Sequence, residues 1–178
     1  MAQNYQQLYD SMVIDPDAMN DVIAITSKIQ ANQERYLTIS NHFGNMPYYF
    51  VGIIHCMECE FSFNRHIANG DPLIAPTVHV PAGLPHGLIP PYIFEDAAIA
   101  ELEYFGFDEV TNWDIPDMLY ELEKWNGFGY QNHGINSPYL WCGSSNYSIG
   151  KFDSDGHFNP TEVSKQTGCA LIIKNISG

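Results

Sequence analysis

Two glutamates interrupt an apolar stretch of the sequence, residues 53–73 (IIHCMECEFSFNRHIANGDPL). At helical spacing Glu58 and Glu60 fall on opposite margins of the apolar face, so the pattern makes both half-buried and does not choose between them. Each could simply reach water or pair with a lysine at the helix margin. A carboxyl group in a partly apolar wall can instead have its pKa raised toward neutrality and act as a general acid.

Asp71 is the candidate for a second carboxylate near either glutamate. It follows the apolar helix by an Asn-Gly turn, and Thr77 comes shortly after it, at the start of a predicted strand. Hydrolysis of a glycosidic bond needs a general acid and usually a second carboxylate on the other side of the bond. The order of acid, turn and Asp71 is therefore compatible with glycoside hydrolysis.

The elements that must position these groups are mostly helices. Apolar spacing and capping residues predict helices over 4–12, 18–34, 47–69, 94–106, 114–125 and 159–174. Residues 77–80 (TVHV) are predicted to form a short strand, residues 81–91 an irregular loop, and residues 147–158 a hairpin. The expected fold class is mainly α (α+β), with a long helix bearing the acids and small β-hairpins.

Composition narrows the possible partners and cofactors. The 178 residues carry a net charge of −14 with only 7 Lys and Arg, which argues against nucleic acid as a partner. No apolar run reaches the length of a membrane span, and the first residues do not resemble a signal peptide. The four cysteines, Cys56, Cys59, Cys142 and Cys169, are expected to be free thiols, and no metal or cofactor is expected.

The run H-x-x-E-x-x-x-x-F-x-x-H-I-A-N-G-D-P-L-x-A-x-T-V-x-V-P, residues 55–81, resembles the core motif of a lysozyme-like peptidoglycan hydrolase family of phage endolysins and related bacterial proteins. The segments LYELEKWNGFGY, GINSPYLWCGSSNYSIGKF and EVSKQTGCALIIK resemble the same family in the same order. The resemblance covers about residues 46–175. It implies a lysozyme-like catalytic domain over 41–178, with residues 1–40 as an N-terminal helical segment packed on it.

The resemblance also implies roles for particular residues. Glu58 matches the family's acid, Asp71 and Thr77 match the residues that hold water opposite the acid, and Glu60 matches no functional position. The WNGFGY segment resembles the Tyr-Asn-x-Gly segment of goose-type lysozymes and lytic transglycosylases. The residues expected to bind sugars are Asn126, Tyr130, Tyr139, Trp141 and Asn146. The chain departs from the residues common in the family at Cys59, where Ser is common, and at Ser145-Asn146-Tyr147, where Asn-His-Tyr is common.

The resemblance implies a muramidase that cleaves the β-1,4 bond between N-acetylmuramic acid and N-acetylglucosamine in peptidoglycan. The expected partner is the glycan strand, and a monomer is favoured. Such a protein would be made in the cytoplasm and would reach the bacterial cell wall through a separate release factor or as part of a virion. A lytic transglycosylase, and a non-catalytic glycan-binding or phage structural module, remain alternatives.

Overall fold

The computed structural model describes residues 4–154 and 156–178. Its main elements are eight α-helices and one two-stranded antiparallel sheet in the described part of the chain, which confirms the mainly helical α+β class. The helices are α1 (Tyr5–Ser11), α2 (Met19–Ala31), α3 (Gln33–Ser40), α4 (Tyr48–Cys59), α5 (Phe94–Tyr104), α6 (Ile115–Asn126), α7 (Pro138–Trp141) and α8 (Cys169–Ser177). The strands are β1 (Lys151–Ser154) and β2 (His157–Asn159).

The chain divides into two compact units. One is continuous and comprises residues 28–113, and the other is discontinuous and comprises residues 4–27 together with 114–178. The boundaries of these units are at residues 27/28 and 113/114. They lie within α2 and just before α6, because the first helix packs on α6 while α3 packs on α4 and α5.

The core of the continuous unit is built on α4. Phe50, Ile53 and Ile54 of this helix are completely buried, as the apolar spacing predicts. Gly52 allows the helix backbone to approach closely, since a Cβ atom at this position would lie 2.7 Å from Ile29 Cγ2 and 3.2 Å from the ring of Tyr36. The packing fixes the direction in which the end of α4, with Glu58, projects.

The discontinuous unit joins the start of the chain to its end. Tyr5 of α1 donates a hydrogen bond to Glu123 of α6, 2.7 Å away, and α6 packs on α7 and α8. Helix α6 begins as predicted, with the Asp114 side chain accepting from the backbone N–H of Asp117. The predicted hairpin is also present, with Phe152 opposite Phe158, and Asp155 of its turn lies outside the described residues.

The prediction that α4 continues to residue 69 is wrong. The helix ends at Cys59, and Glu60 and Phe61 both have positive φ angles. The apolar period continues beyond the helix because Phe61 and Phe63 fold back and pack around His55, at ring-centroid distances of 5.9 and 4.5 Å. Half-buried aromatic side chains on a turn thus continue the apolar spacing of the helix in the sequence.

The predicted strand at residues 77–80 is also absent. The backbone N–H groups of Val78 and His79 donate to the carboxylate of Asp71 instead of to a neighbouring strand. Thr77 pairs with Leu84 through its backbone, so the segment closes into a loop. Alternating side chains predict an extended backbone, but a strand also needs a hydrogen-bonding partner.

Two further helix boundaries differ from the prediction. The helix predicted over 18–34 is interrupted at Asn32, where α2 gives way to α3. The final helix begins at Cys169 rather than near residue 159. The Asn159 side chain, predicted to cap that helix, instead accepts from the backbone N–H and the hydroxyl of Thr161, and so forms a turn.

None of the helices in the described part of the chain combines the length and the apolar character that crossing a bilayer requires.

Candidate active site

The end of α4 separates the two glutamates that the sequence could not distinguish. Glu58 is half-buried in the last turn, whereas Glu60 is exposed and occupies the left-handed position that ends the helix. Glu60 and Phe61 have φ angles of 50° and 65°, which is uncommon for residues other than glycine. The two carboxyl groups therefore have different environments, and the assignment of the acid to Glu58 stays a prediction.

The segment that carries Asp71 packs directly on the backbone of Glu58. A Cβ atom at Gly70 would lie only 2.8 Å from the carbonyl oxygen of Glu58, so the residue at this position must be glycine for the two segments to meet. The φ angle of Gly70, 76°, adds a second reason. The structure therefore places the segment that carries Asp71 against the backbone of Glu58, and the pairing of the two carboxyl groups in one site stays a prediction.

Asp71 is held as an anion. Its side chain is 7% exposed, Oδ2 accepts from the backbone N–H groups of Val78 (2.7 Å) and His79 (2.9 Å), and Oδ1 lies 2.5 Å from Nδ1 of His79. The backbone hydrogen bond from His79, together with that residue's ring and the N–H of Val78, lowers the pKa of Asp71 to about 2 against the opposing effect of burial. The carboxylate is ionised throughout the physiological range.

Thr77 is engaged within its own loop. Its hydroxyl donates to the carbonyl of Pro81 (2.6 Å) and accepts from the backbone N–H of Leu84 (2.9 Å). The side chain is buried. In this geometry the side chain of Thr77 closes the 77–84 loop. The water-holding role that the resemblance implies for Thr77 stays a prediction.

A buried ion pair that sequence analysis missed anchors this region. His66 Nδ1 lies 2.5 Å from Glu101 Oε1, its Nε2 lies 2.8 Å from the carbonyl oxygen of Ala75, and both side chains of the pair have no exposed surface. Both neighbours of the ring are acceptors, so both ring nitrogens carry a hydrogen and the ring is an imidazolium. Burial opposes this charge, but the hydrogen bonds to Glu101 and Ala75 outweigh it and raise the pKa of His66.

The same pair fixes the backbone on both sides of Asp71. The second oxygen of Glu101 accepts from the N–H of Ala68 (2.9 Å), and the N–H of His66 donates to the carbonyl of Asp71 (2.8 Å). Helix α5 thus holds the 66–75 segment in place. No local sequence pattern predicts the contact between His66 and Glu101, because the two residues are far apart in the sequence.

His55 lies on α4 one turn before Glu58, in an aromatic cluster. Its ring centroid is 4.5 Å from Phe63 and 4.6 Å from Phe94, and Nδ1 is 2.9 Å from the hydroxyl oxygen of Tyr36. Nε2 is buried and has no hydrogen-bond partner among the described residues. Burial lowers the pKa of His55 to about 4, so the ring is neutral and forms part of the wall behind the site.

The cysteines are free thiols, and Cys59 directly follows Glu58. The Cys59 sulfur donates to the carbonyl oxygen of His66, 3.2 Å away, and therefore links α4 to the turn beyond it. Burial raises the pKa of this thiol to about 12 and that of Cys56 to about 11, so both are protonated. Among the described residues no group of three or more His, Cys, Asp or Glu side chains is placed to hold a metal ion.

A second feature lies wholly within the discontinuous unit. A pocket of about 470 Å³ contains three of the residues expected to bind sugars, Asn126, Tyr130 and Tyr139. The rest of its lining consists of backbone at glycines and mainly polar side chains: Gly127, Gly129, Lys151, Phe152, Ser154, Gly156, Ser164 and Gln166. Such a lining offers amide, hydroxyl and backbone hydrogen-bonding groups to a polar ligand, while Tyr130 and Tyr139 are largely buried.

Two of the residues expected to bind sugars are not among the residues that line this pocket. Trp141 is completely buried and has no exposed ring face on which a sugar could stack, so its place is in the core. Asn146 donates from its side-chain amide to the carbonyl oxygen of Leu8, 2.7 Å away, and thereby ties α1 to the C-terminal part of the chain. The sugar-binding role that the resemblance implies for Asn146 stays a prediction.

No protein family model, curated protein or solved structure matches this chain. The function must therefore be inferred from the groups themselves: a half-buried glutamate, an ionised aspartate on the adjoining segment, and a polar pocket with aromatic walls.

Proposed function

We propose that the protein is a muramidase that hydrolyses the β-1,4 bond between N-acetylmuramic acid and N-acetylglucosamine in peptidoglycan. The observation that carries the proposal is the close approach of Gly70 to the carbonyl of Glu58. Through it, a carboxyl group that can be protonated and the segment bearing a permanently ionised carboxylate adjoin each other. An acid with a second carboxylate is the arrangement used by most glycoside hydrolases.

Glu58 is the general acid in this proposal. It is half-buried, and burial favours the neutral form of a carboxyl group. It also lies in the last turn of α4, where the carbonyl end of the helix dipole disfavours an anion. The protonated carboxyl would donate its hydrogen to the glycosidic oxygen as the bond to the anomeric carbon breaks.

Asp71 supplies the negative charge on the water side of the reaction. Its hydrogen bonds to the backbone N–H groups of Val78 and His79 hold it in the ionised form. A water molecule between the two acids leads to inversion at the anomeric carbon, whereas direct attack by a carboxylate leads to retention. The proposal expects inversion, and thus an α-configured reducing end.

The pocket with Asn126, Tyr130 and Tyr139 supports the choice of an N-acetylated glycan as substrate. Its amide and backbone groups can bind the N-acetyl substituent of such a sugar. The protein's net charge of −14 gives no electrostatic attraction to an anionic cell wall, so neutral contacts of this kind must provide the affinity. A monomer delivered to the wall by a separate factor, or as part of a virion, fits this substrate.

The test compares Glu58→Gln with Glu60→Gln. Both substitutions remove one carboxylate from the same end of α4, but Glu60 is exposed. We expect Glu58→Gln to fold and to lose about 10²- to 10⁴-fold of the wild-type rate of peptidoglycan clearance, while Glu60→Gln stays within about twofold.

Analysis of the products gives the reaction type. Proton NMR of freshly formed reducing ends should show the α-anomer. Mass spectrometry that finds anhydromuramoyl ends would make the protein a lytic transglycosylase. Binding to peptidoglycan without any cleavage by the wild type would make it a glycan-binding module and end the muramidase proposal.

A further inference from the structure

The exposed side chain of His79 contacts the buried carboxylate of Asp71. It is 79% exposed, whereas that of its partner Asp71 is 7% exposed, and Nδ1 lies 2.5 Å from Asp71 Oδ1. The sequence pattern gave His79 no task, because it stands in a segment predicted to be an ordinary strand. In the structure it is the solvent-facing end of a carboxylate–imidazole pair.

We propose that His79, oriented by Asp71, is the catalytic base that takes a proton from the attacking water. This inference rests on the proposed muramidase function and changes the assignment of one step within it. Asp71 then acts as a positioning residue, and Nε2 of His79 is the atom that accepts the proton.

The protonation pattern of the pair supports this assignment. Oδ2 of Asp71 accepts two backbone N–H groups and so carries no hydrogen. Oδ1 is the acceptor for the ring, which places the ring hydrogen on Nδ1. The lone pair of the neutral imidazole is therefore on Nε2, the nitrogen farther from Asp71, on an exposed side chain.

Asp71 itself is poorly suited to accept the proton. Three hydrogen bonds already point at its two oxygens, and little of its surface meets solvent. The same bonds that hold it ionised make it a weak base, and general-base efficiency falls when the basicity of the group is far from the operating pH. The His79 imidazole, in contrast, is exposed, and its Nδ1 is held by the Asp71 carboxylate, which leaves Nε2 as the accessible acceptor.

The backbone holds the pair in one arrangement. Asn69 bridges the two segments, since its side-chain oxygen accepts from the N–H of Asp71 (3.1 Å) and its side-chain nitrogen donates to the carbonyl oxygen of His79 (3.0 Å). The N–H of His79 donates to Asp71 as well. With four hydrogen bonds between these residues, the position of the ring is set before any substrate arrives, as catalysis by a base requires.

The oxygen of water forms a bond to the anomeric carbon of N-acetylmuramic acid while the bond from that carbon to the glycosidic oxygen breaks. The carboxyl hydrogen of Glu58 goes to the departing oxygen, and one hydrogen of the water goes to Nε2 of His79. The resulting imidazolium is stabilised by the Asp71 carboxylate, and proton exchange with solvent then restores both groups.

The experiment is to compare His79→Asn with His86→Asn in the full chain. An asparagine amide can keep the donor toward Asp71 that Nδ1 supplies, but it has no basic nitrogen that could accept the proton. His86 is an exposed histidine of the same loop region whose ring contacts Tyr104, and it serves as the matched control. We expect His79→Asn to lower kcat for peptidoglycan by about 10²-fold or more with little change in KM, and His86→Asn to remain near wild type.

Two further measurements separate catalysis from loop stabilisation. His79→Ala should regain part of its rate when free imidazole is added, which a purely structural role would not allow. In the wild type, nitrogen NMR of the His79 ring should show the hydrogen on Nδ1. A His79→Asn variant within about threefold of the wild-type rate, while Glu58→Gln is inactive, would overturn the base assignment and leave the muramidase proposal intact. A wild type with no hydrolytic activity would overturn both.

Discussion

Gly70 faces the carbonyl oxygen of Glu58 so closely that a methyl group at Gly70 would lie 2.8 Å from that oxygen. Gly87, in the same unit, has almost the same backbone conformation, with a φ angle of 77° against 76°, but a methyl group added there would have no atom within 4 Å. The two glycines therefore separate the cost of a left-handed alanine from the cost of pushing two segments apart.

Gly87→Ala should lower the free energy of unfolding by about 1–2 kcal/mol, which is the cost of the left-handed conformation alone. Gly70→Ala should lower it by about 1–3 kcal/mol more, because the added methyl group meets backbone that cannot move aside easily. It should also reduce lytic activity at least about tenfold, since it displaces the segment with Asp71. Urea unfolding and peptidoglycan clearance measure the two effects. Equal destabilisation by both variants would contradict the packing role of Gly70.

The buried pair of His66 and Glu101 predicts a loss of stability at alkaline pH. The pKa of His66 is raised in the folded protein, so its contribution is complete below the ordinary histidine value of about 6.5 and is lost as the pH rises through the folded-state value. Glu101→Gln removes the anionic partner of the imidazolium. We expect it to cost about 3 kcal/mol at about pH 6 and clearly less at about pH 9.

Glu103→Gln is the control for this prediction. Glu103 is on the same helix, but its contact with His42 is exposed on both sides. Surface pairs of this kind contribute little, so the cost should stay below about 1 kcal/mol. Denaturant unfolding of the two variants and the wild type at the same two pH values provides the comparison. A cost of Glu101→Gln that does not change with pH would mean that His66 is neutral.

The lowered pKa of His55 predicts that the free energy of unfolding decreases as the pH is lowered into the acid range. Its pKa falls from 6.5 to about 4 on folding, so the unfolded chain binds more protons between these values and stability decreases as the pH is lowered through them. The shift corresponds to about 3 kcal/mol once the pH reaches about 4. In His55→Phe, with Tyr36→Phe to avoid an unpaired hydroxyl, this part of the pH dependence should disappear. The control His86→Asn should keep it, and thermal melts between about pH 4.5 and 7 distinguish the two results.

A substitution in the pocket of the discontinuous unit should weaken sugar binding, whereas a similar substitution outside the pocket should not. Asn126 lines the pocket, whereas Asn132 is exposed on the neighbouring short 3-10 helix and is not among the lining residues. Asn126→Ala should raise the Kd for an N-acetylglucosamine oligomer about 2- to 10-fold, the effect of losing one hydrogen bond. Asn132→Ala should leave it unchanged. Calorimetric titration measures these affinities. Equal affinities of the two variants would show that this pocket does not bind the glycan.

The elements with local sequence signals were predicted correctly. Asp114 is followed by a proline and an acidic residue, and the structure uses this as a capped helix start. The alternation around a turn in residues 147–158 yields the hairpin. The apolar period of α4 predicts its buried face because a helix turns by a fixed angle per residue.

Sequence patterns failed where a tertiary contact supplies the hydrogen bond or the burial. Phe61 continues the apolar period of α4 but packs from a turn onto His55, so the pattern extends past the end of the helix. Val78 and His79 have the alternation of a strand, yet their N–H groups bind the Asp71 carboxylate. A single sequence records which side chains are apolar, and it does not record which acceptor each backbone group will find.

Only the tertiary structure distinguished the chemical groups of the site from their neighbours. Glu58 and Glu60 are equivalent in the helical pattern. They differ in the structure because Glu58 lies in the last turn of α4, whereas Glu60 lies just beyond the end of the helix. The ring of His66 is charged because Glu101 and Ala75 face both of its nitrogens, and that of His55 is neutral because aromatic rings surround it. The protonation state of a side chain depends on the groups that folding brings within hydrogen-bonding distance, and for His66 the decisive partner, Glu101, lies on a different helix.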